Sequence, residues 1–548
     1  MRAIATFSRY WETLRWLKPV QLYGRLWFRL TRPTVDERRS PARRSHSGPW
    51  TAPARRRASL TGGGEFLFLN EHGSLGELGW DSPDRSKLWR YNQHYFDDLN
   101  ASGAPSRREW HEDLLVDWLN NNPPGEGTGW EPYPISIRIV NWIKWSLAGN
   151  DLGEACCDSL AVQVRWLMQR LEWHLLGNHL LANAKALVFA GLWFDGDEAL
   201  TWLNTGLRIL QSQLPEQVLP DGGQFELSPM YHALALEDVL DLVNVTRRYS
   251  AALSPDQQEL SDAWTVRACL MRRWLAALSH PDGDIAFFND AAFGIAPKNT
   301  ELEAYAAGLG VPEPEALGQI TWLADSGYVR LTQPAAVVIA DLARVGPDYL
   351  PGHAHADTLS FETSVFGHRV FVNSGTSVYG TGAERLRQRG TAAHTTVAIS
   401  GYDSSDVWSG FRVGRRARPL DRHISGTGDI LFASASHDGY RRLRGRPLHG
   451  RTWRLGPDSL EIQDRLACTD PQAEARFYLH PDIQATIDAP GTGTFLLPGG
   501  RLLRWTTVGA QAFLQPTTWH PEFGRSQPTL CLIVPLLNGG SLLNVAWD

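Results

Sequence analysis

The stretch GHAHADTLSFE, Gly352 to Glu362, sets two imidazoles and a carboxylate at alternate positions and then enters an apolar, β-prone run. If the segment is extended, His353, His355 and Asp357 share one face, because strand side chains alternate with period two. Neutral imidazole with carboxylate suits zinc, and a solvated strand edge has the same spacing. A second polar stretch, HLLGNHLLANAKAL, carries His174, Asn178, His179 and Asn183 along or across a helix start. There Asn178, following Gly177, also suits a turn or an N-cap. The third, DGGQFELSPMYHALALE, leads through a Gly-rich turn and Pro229 to Tyr231 and His232 at the mouth of a helix. A tyrosine so placed serves either as a packing anchor or as a proton-transfer group.

These residues must be positioned by two kinds of structure. From about Trp80 to Leu309, segments such as EWHEDLLVDWLNNN, ISIRIVNWIKWSLAGN and HALALEDVLDLVNVTRRYSAAL carry apolar residues at three- and four-residue intervals, punctuated by Gly, Pro, Asn or Asp. That is the period of amphipathic helices. Beyond Gln319 the period falls to two in short β-branched runs such as AAVVIADLA, RVFVNSG and SLEIQDRLAC, which is the pattern of strands. Helices first and strands after predict two joined layers in place of βαβ alternation. The chain therefore divides into an N-terminal amphipathic segment and basic linker (1–64), an all-α domain (65–318) and an antiparallel β-sandwich domain (319–548). Metal-dependent βα-barrel enzymes also use HxH, but no βα alternation precedes residue 353.

At 548 residues the chain exceeds the size of one hydrophobic core. A net charge of -6 argues against general affinity for nucleic acid. The 23 tryptophans suit large aromatic cores or stacking on sugar rings. Five cysteines, Cys156, Cys157, Cys269, Cys468 and Cys531, lack CxxC spacing and support neither a disulfide scaffold nor a zinc finger. The first thirty residues show no signal-peptide pattern. Their bulky apolar residues alternate with Arg and Lys, which predicts a helix docked on the protein's own body or resting peripherally on a membrane. Location by default is then cytoplasmic or at a membrane surface, with the cell envelope as the other option. Glu37 to Gly64, with seven arginines among Pro, Ser and Gly, has a linker composition.

GNHLLANAKAL, DGGQFELSPMYH, GHAHADTLSFE and VNSGTSVYG followed by TAAHTTVAISG resemble, in this order, the motifs of the heparinase II/III family of polysaccharide lyases. The resemblance covers roughly Leu88 to His449. It implies an incomplete α/α toroid followed by an antiparallel β-sandwich, a cleft between them, and β-elimination on an acidic, uronate-containing polysaccharide. By resemblance, Asn178 neutralises the uronate carboxylate, Tyr231 acts as base, acid or both, and His353 assists neutralisation or proton transfer. Arg138, His179, Gln224, Glu226 and His232 are the implied substrate contacts. His355, with Asn373 and His394, matches positions that hold a structural zinc in some members. Asn373 replaces an aspartate there and Thr395 an asparagine, which weakens that set.

Two other readings stand beside this one. A non-catalytic glycan-binding or polysaccharide-assembly protein would use the same scaffold without chemistry. A glycoside hydrolase would need paired carboxylates, for which Asp221, Glu226 and Asp357 are available. Oligomeric state, endo or exo action, and the particular uronate and linkage are not encoded in any motif.

Overall fold

The computed structural model describes residues 2–46, 48–467, 473–508 and 511–548, with side chains from Ser8 onward. It is an α+β architecture: long helices to Gly308, then two large antiparallel sheets from Ile320. Two helices open the chain, α1 (Arg2–Leu14) and α2 (Pro19–Leu30). Residues 37–64 do not form a loose linker. The described residues 37–46 and 48–59 lie extended along the helical domain, with Arg44 N donating to Trp193 O and Asn244 Nδ2 to Thr51 O. The division at residue 64 falls inside a small sheet, Leu60–Gly62, Glu65–Phe68 and Glu71–Ser74.

The first large sheet runs from edge to edge through Phe513–Trp519, Gln527–Pro535, Ala473–Leu479, His368–Val372, Phe361–Val365, Ala336–Asp341, Tyr328–Thr332 and Ile320–Leu323. The second runs through Pro419–Thr427, Ile430–His437, His449–Leu455, Ser459–Leu466, Gly540–Ala546, Leu502–Val508, Thr492–Leu496 and Gln484–Ala489. Strand Ala336–Asp341 explains the layering. Ala336, Val338 and Ala340 join a core shared with the second sheet, while Val337 and Ile339 pack with Leu227, Trp274 and Phe288 of the helical domain. With period two, one strand thus buries both faces. Cys156, Cys157, Cys269 and Cys531 are unpaired; Cys468 lies outside the described residues.

Inside the helical domain the helices Pro132–Leu147, Gly177–Trp193 and Pro229–Arg248 are tied by a buried ionic knot. Lys185 Nζ reaches Asp241 Oδ2 and Asp238 Oδ1, each at 2.6 Å, Lys144 also pairs with Asp241, and Tyr305 donates to Asp241 at 3.0 Å. Burial works to raise the Asp241 pKa, but the two ammonium groups hold it below the usual carboxylate range. Asp241→Leu leaves buried Lys144 without its close carboxylate and Lys185 with Asp238 alone, and is expected to cost about 3–5 kcal/mol. A urea titration showing an unchanged midpoint would contradict this.

Candidate active site

The GHAHADTLSFE segment is not a strand before Phe361. Residues 352–360 form turns and bends, so the expected common face of His353, His355 and Asp357 does not exist. Instead both histidines converge on one carboxylate, that of Asp290, which is fully buried. His353 Nδ1 lies 2.9 Å from its Oδ2, and His355 Nε2 lies 2.8 Å from its Oδ1. Arg385 grips the same carboxylate through both terminal nitrogens, one at 2.7 Å. Burial pushes the Asp290 pKa upward, yet the guanidinium and the two imidazoles win and hold it well below the carboxylate range. Asp357 points elsewhere and accepts from Asn289 N at 3.0 Å.

An ionised Asp290 can only accept, so it fixes the tautomers of its partners. His353 must carry its proton on Nδ1, leaving the Nε2 lone pair free. His355 must carry its proton on Nε2, so its bare Nδ1 accepts from His394 Nε2 at 3.3 Å. His394 Nδ1 is then left buried without a partner. Burial is the main cause that lowers the His355 pKa to about 4 and that of His394 to about 3, so both rings are neutral.

This relay does not fit the implied zinc set of His355, Asn373 and His394. Asn373 uses both ends of its amide, accepting from Thr395 N at 3.0 Å and donating to Phe287 O at 2.9 Å. Among the described residues no group of three His, Cys, Asp or Glu side chains converges as a metal site. Elemental analysis after metal-replete purification is expected to find no stoichiometric zinc; one equivalent would overturn this reading of the three residues.

Tyr231 completes the cluster. Its ring lies against His353, with centroids 3.9 Å apart, and its hydroxyl is 2.9 Å from that of Tyr379. The helix Pro229–Arg248 is aimed there by its N-cap: Ser228 Oγ accepts from Tyr231 N and donates to the backbone carbonyl of Asp290. Burial, with Tyr379 and Asp290 nearby, pushes the Tyr231 phenol well above 10. Phe411 and Tyr379 wall the other side of His353, at centroid distances of 5.9 and 6.0 Å.

Asn178 stands in the first turn of helix Gly177–Trp193 and is half-buried. Among the described residues nothing hydrogen-bonds its carboxamide. Gly177 has φ +54, a backbone conformation that favours glycine, and a Cβ there would come within 2.3 Å of the Leu350 Cδ2 methyl. The same Cβ would sit 3.7 Å from Glu226 Oε1, and Glu226 Oε2 is 3.7 Å from His353 Nε2. Glu226 thus lies between the Asn178 turn and the His353–Tyr231 pair. Its carboxyl is raised by burial, and Oε2 has no hydrogen-bond partner. Four non-glycine residues with left-handed φ flank these groups: Leu176, Leu227, Asn289 and Leu359. Backbone strain of this kind, roughly 1–3 kcal/mol each, gathers at functional sites.

The remaining expected contacts separate into two groups. His179 stays half-exposed beside Asn178, with Nδ1 3.0 Å from Glu172 Oε1 and its ring over Tyr133. Gln224 is buried and holds Glu226, accepting from its N at 2.9 Å. Arg138 and His232 are corrections. Arg138 is wholly buried, donates to Gln163 Oε1, His94 O and Gly129 O, and stacks on Trp118. His232 is wholly buried, accepting from Gln224 N and donating to Met271 O. Both are scaffold, since neither has a free polar atom or an exposed edge. The hydrolase carboxylates do not pair either, because Asp221 accepts from Ser326 N and Oγ and Asp357 serves Asn289. Asp290, Arg385 and Tyr379 were not singled out from the sequence. Asp290 had a signal: FFNDAAFG breaks an apolar run with two polar residues.

The fold and site define an α+β protein, helices packed on the first of two large sheets, whose tyrosine–histidine–aspartate cluster lies where helices meet the first sheet. Residues 101–307 match the family described as Heparinase II/III N-terminus, and residues 316–540 match Heparinase II/III-like, C-terminal. The chain belongs to the heparinase II/III-like family. A heparin-sulfate lyase of Bacteroides stercoris is 28% identical over 41% of this chain and 36% of its own length. One from Pedobacter heparinus is 25% identical over 53% and 48% respectively. The chain therefore spans a third to a half of these curated relatives. An FtsZ-localized protein C of Caulobacter vibrioides is 26% identical over 78% of this chain and 75% of its own length. The fold resembles the heparan sulfate lyase HepC from Pedobacter heparinus (TM-score 0.56, 19% identity, 85% of this chain and 78% of that one). It also resembles a solved heparinase III (TM-score 0.62, 16% identity, 85% and 77%).

Proposed function

We propose that the protein is a polysaccharide lyase that cleaves a uronate-containing glycan by β-elimination, on an incomplete α/α toroid backed by a β-sandwich. The observation that carries this reading is the Tyr231–His353 pair, ring centroids 3.9 Å apart, with an imidazole proton held on Nδ1 by Asp290. His353 Nε2 takes the C5 proton. The C5–H electrons form the C4=C5 double bond, the C4–O bond breaks, and its electron pair goes to the leaving oxygen, which takes the Tyr231 phenol proton. A phenol raised well above 10 suits a donor better than a base. Transfer of the proton from His353 back to Tyr231 resets the pair. Asn178, with a free half-buried amide, hydrogen-bonds the uronate carboxylate while charge builds on it, a role typically worth about 10²–10³ in rate.

Since the two rings lie side by side, 3.9 Å between centroids, they reach the sugar from one side, which favours uronates whose C5 hydrogen and C4 oxygen share a face. The surroundings of His179 are acidic: burial lowers its pKa, but Glu172, Glu226 and Glu131 outweigh that and raise it. Intact Asn178, Tyr231 and His353 speak against the non-catalytic alternative. Product mass tests the reaction type: fragments that sum to the substrate mass support elimination, and fragments heavier by one water would sink it.

A further inference from the structure

α2 is an inverted amphipathic helix. Its small and polar side faces the protein: Gln21 is buried and donates to Tyr349 O at 3.1 Å, and Gly24 packs on His174. Phe28 covers His174 and Arg170 beside it, with ring centroids 4.3 Å from His174. Its bulky apolar side faces outward. Leu22, Tyr23, Leu26, Trp27 and Leu30 are 56–69% exposed, and at 100° per residue they cover an arc of about 140°. Neighbouring α1 adds Tyr10, Trp11 and Leu14, at 45–59% exposure. Scattered exposed apolar residues are ordinary, but five large ones sharing one arc of a helix mark an interaction surface.

Charge identifies the partner. Residues 8–32 hold six basic side chains, Arg9, Arg15, Lys18, Arg25, Arg29 and Arg32, against one acid, Glu12, in a chain of net charge -6; of these, Arg15 pairs with Glu12 and Lys18 with Glu216. Arg25 and Arg29 lie along one border of the apolar arc. Two copies of this chain would bring like charges together on this face, whereas an anionic bilayer satisfies both the apolar arc and its basic border. No helix among the described residues is long and apolar enough to cross a membrane, so contact through this face would be peripheral. We propose that α1 and α2 form a docking face for an anionic lipid surface. The face borders the active site. α1 packs on the hairpin Val407–Trp408 and Arg412–Val413, with Tyr10 against Trp408, and the turn of that hairpin presents Phe411 to His353. A docked enzyme would therefore meet its glycan at the membrane surface.

The test is co-sedimentation of the full chain with vesicles of phosphatidylcholine alone or mixed with phosphatidylglycerol. Binding only to the mixed vesicles, weakened by salt, is expected. Leu26→Ser with Trp27→Ser, or Arg25→Glu with Arg29→Glu, should weaken it by roughly tenfold or more while the thermal unfolding curve and the release of unsaturated sugar stay as in the parent. Equal binding to both vesicle types, no binding to either, or undiminished binding by both variants would overturn the proposal. So would a dimer in analytical ultracentrifugation that the Leu26→Ser, Trp27→Ser variant dissociates. Failure here leaves the lyase reading untouched, because that reading is measured by product formation in vesicle-free solution.

Discussion

Tyr231→Phe is expected to lower kcat by about 10²–10⁴, the usual worth of a positioned proton-transfer group, with KM changed little. The substitution removes one oxygen and keeps the ring that packs on His353. Among the described residues that hydroxyl meets only Tyr379 Oη, so the stability cost is about 1 kcal/mol and the variant should remain folded. The pH dependence follows from the direction of the shift. The phenol pKa in the free protein lies well above 10 because burial and the neighbouring Tyr379 and Asp290 disfavour phenolate. Tyr231 is therefore protonated throughout the neutral and mildly alkaline range, and kcat/KM should show no decline from its ionisation below about pH 10. Near-normal turnover by the phenylalanine variant would remove Tyr231 from the mechanism.

Asp290→Asn should be nearly as damaging, although this residue touches no substrate in the proposed reaction. The carboxylate accepts from His353, His355 and Arg385 together. A carboxamide has one accepting oxygen and one donating nitrogen, so it cannot satisfy all three. If the His353 proton moves to Nε2, the base is lost. The corresponding exchange in the serine-protease triad, where it breaks the same kind of tautomer control, costs about 10⁴ in kcat, and a loss of about 10³–10⁴ is expected here. The variant also leaves Arg385 buried without its counter-ion, a stability cost of about 3–5 kcal/mol. Arg385→Lys separates the two effects, because it retains a charge beside Asp290 and leaves the His353 tautomer alone. Its kcat should fall by less than tenfold even where urea shows it destabilised. Equal losses in both variants would make Asp290 purely structural.

Much of the architecture was legible because it rests on periodicity. The change from three- and four-residue spacing to alternation near Gln319 reflects real elements, the last helix of the helical domain ending at Gly308 and the first strand of the large sheets starting at Ile320. Tyr231 and His353 were reachable through their motifs. Asp290 was harder: its partners lie in separate stretches of the chain, at His353, His355 and Arg385. Nothing local distinguishes Arg385, in AERLRQR, from a solvated helix face. Arg138 failed for the converse reason. A buried arginine satisfied by Gln163 and two carbonyls looks, as letters, like one waiting for a carboxylate. The HxHxD pattern misled because alternation was read as a strand, whereas turns bring His353 and His355 to opposite oxygens of Asp290.

The most direct measurement of the central claim is ultraviolet absorbance of the unsaturated uronate released from a panel of uronic-acid polysaccharides that spans unsulfated to heavily sulfated chains. The account predicts rising absorbance with at least one member, abolished by Tyr231→Phe. No absorbance from any member, with the protein folded, would contradict it.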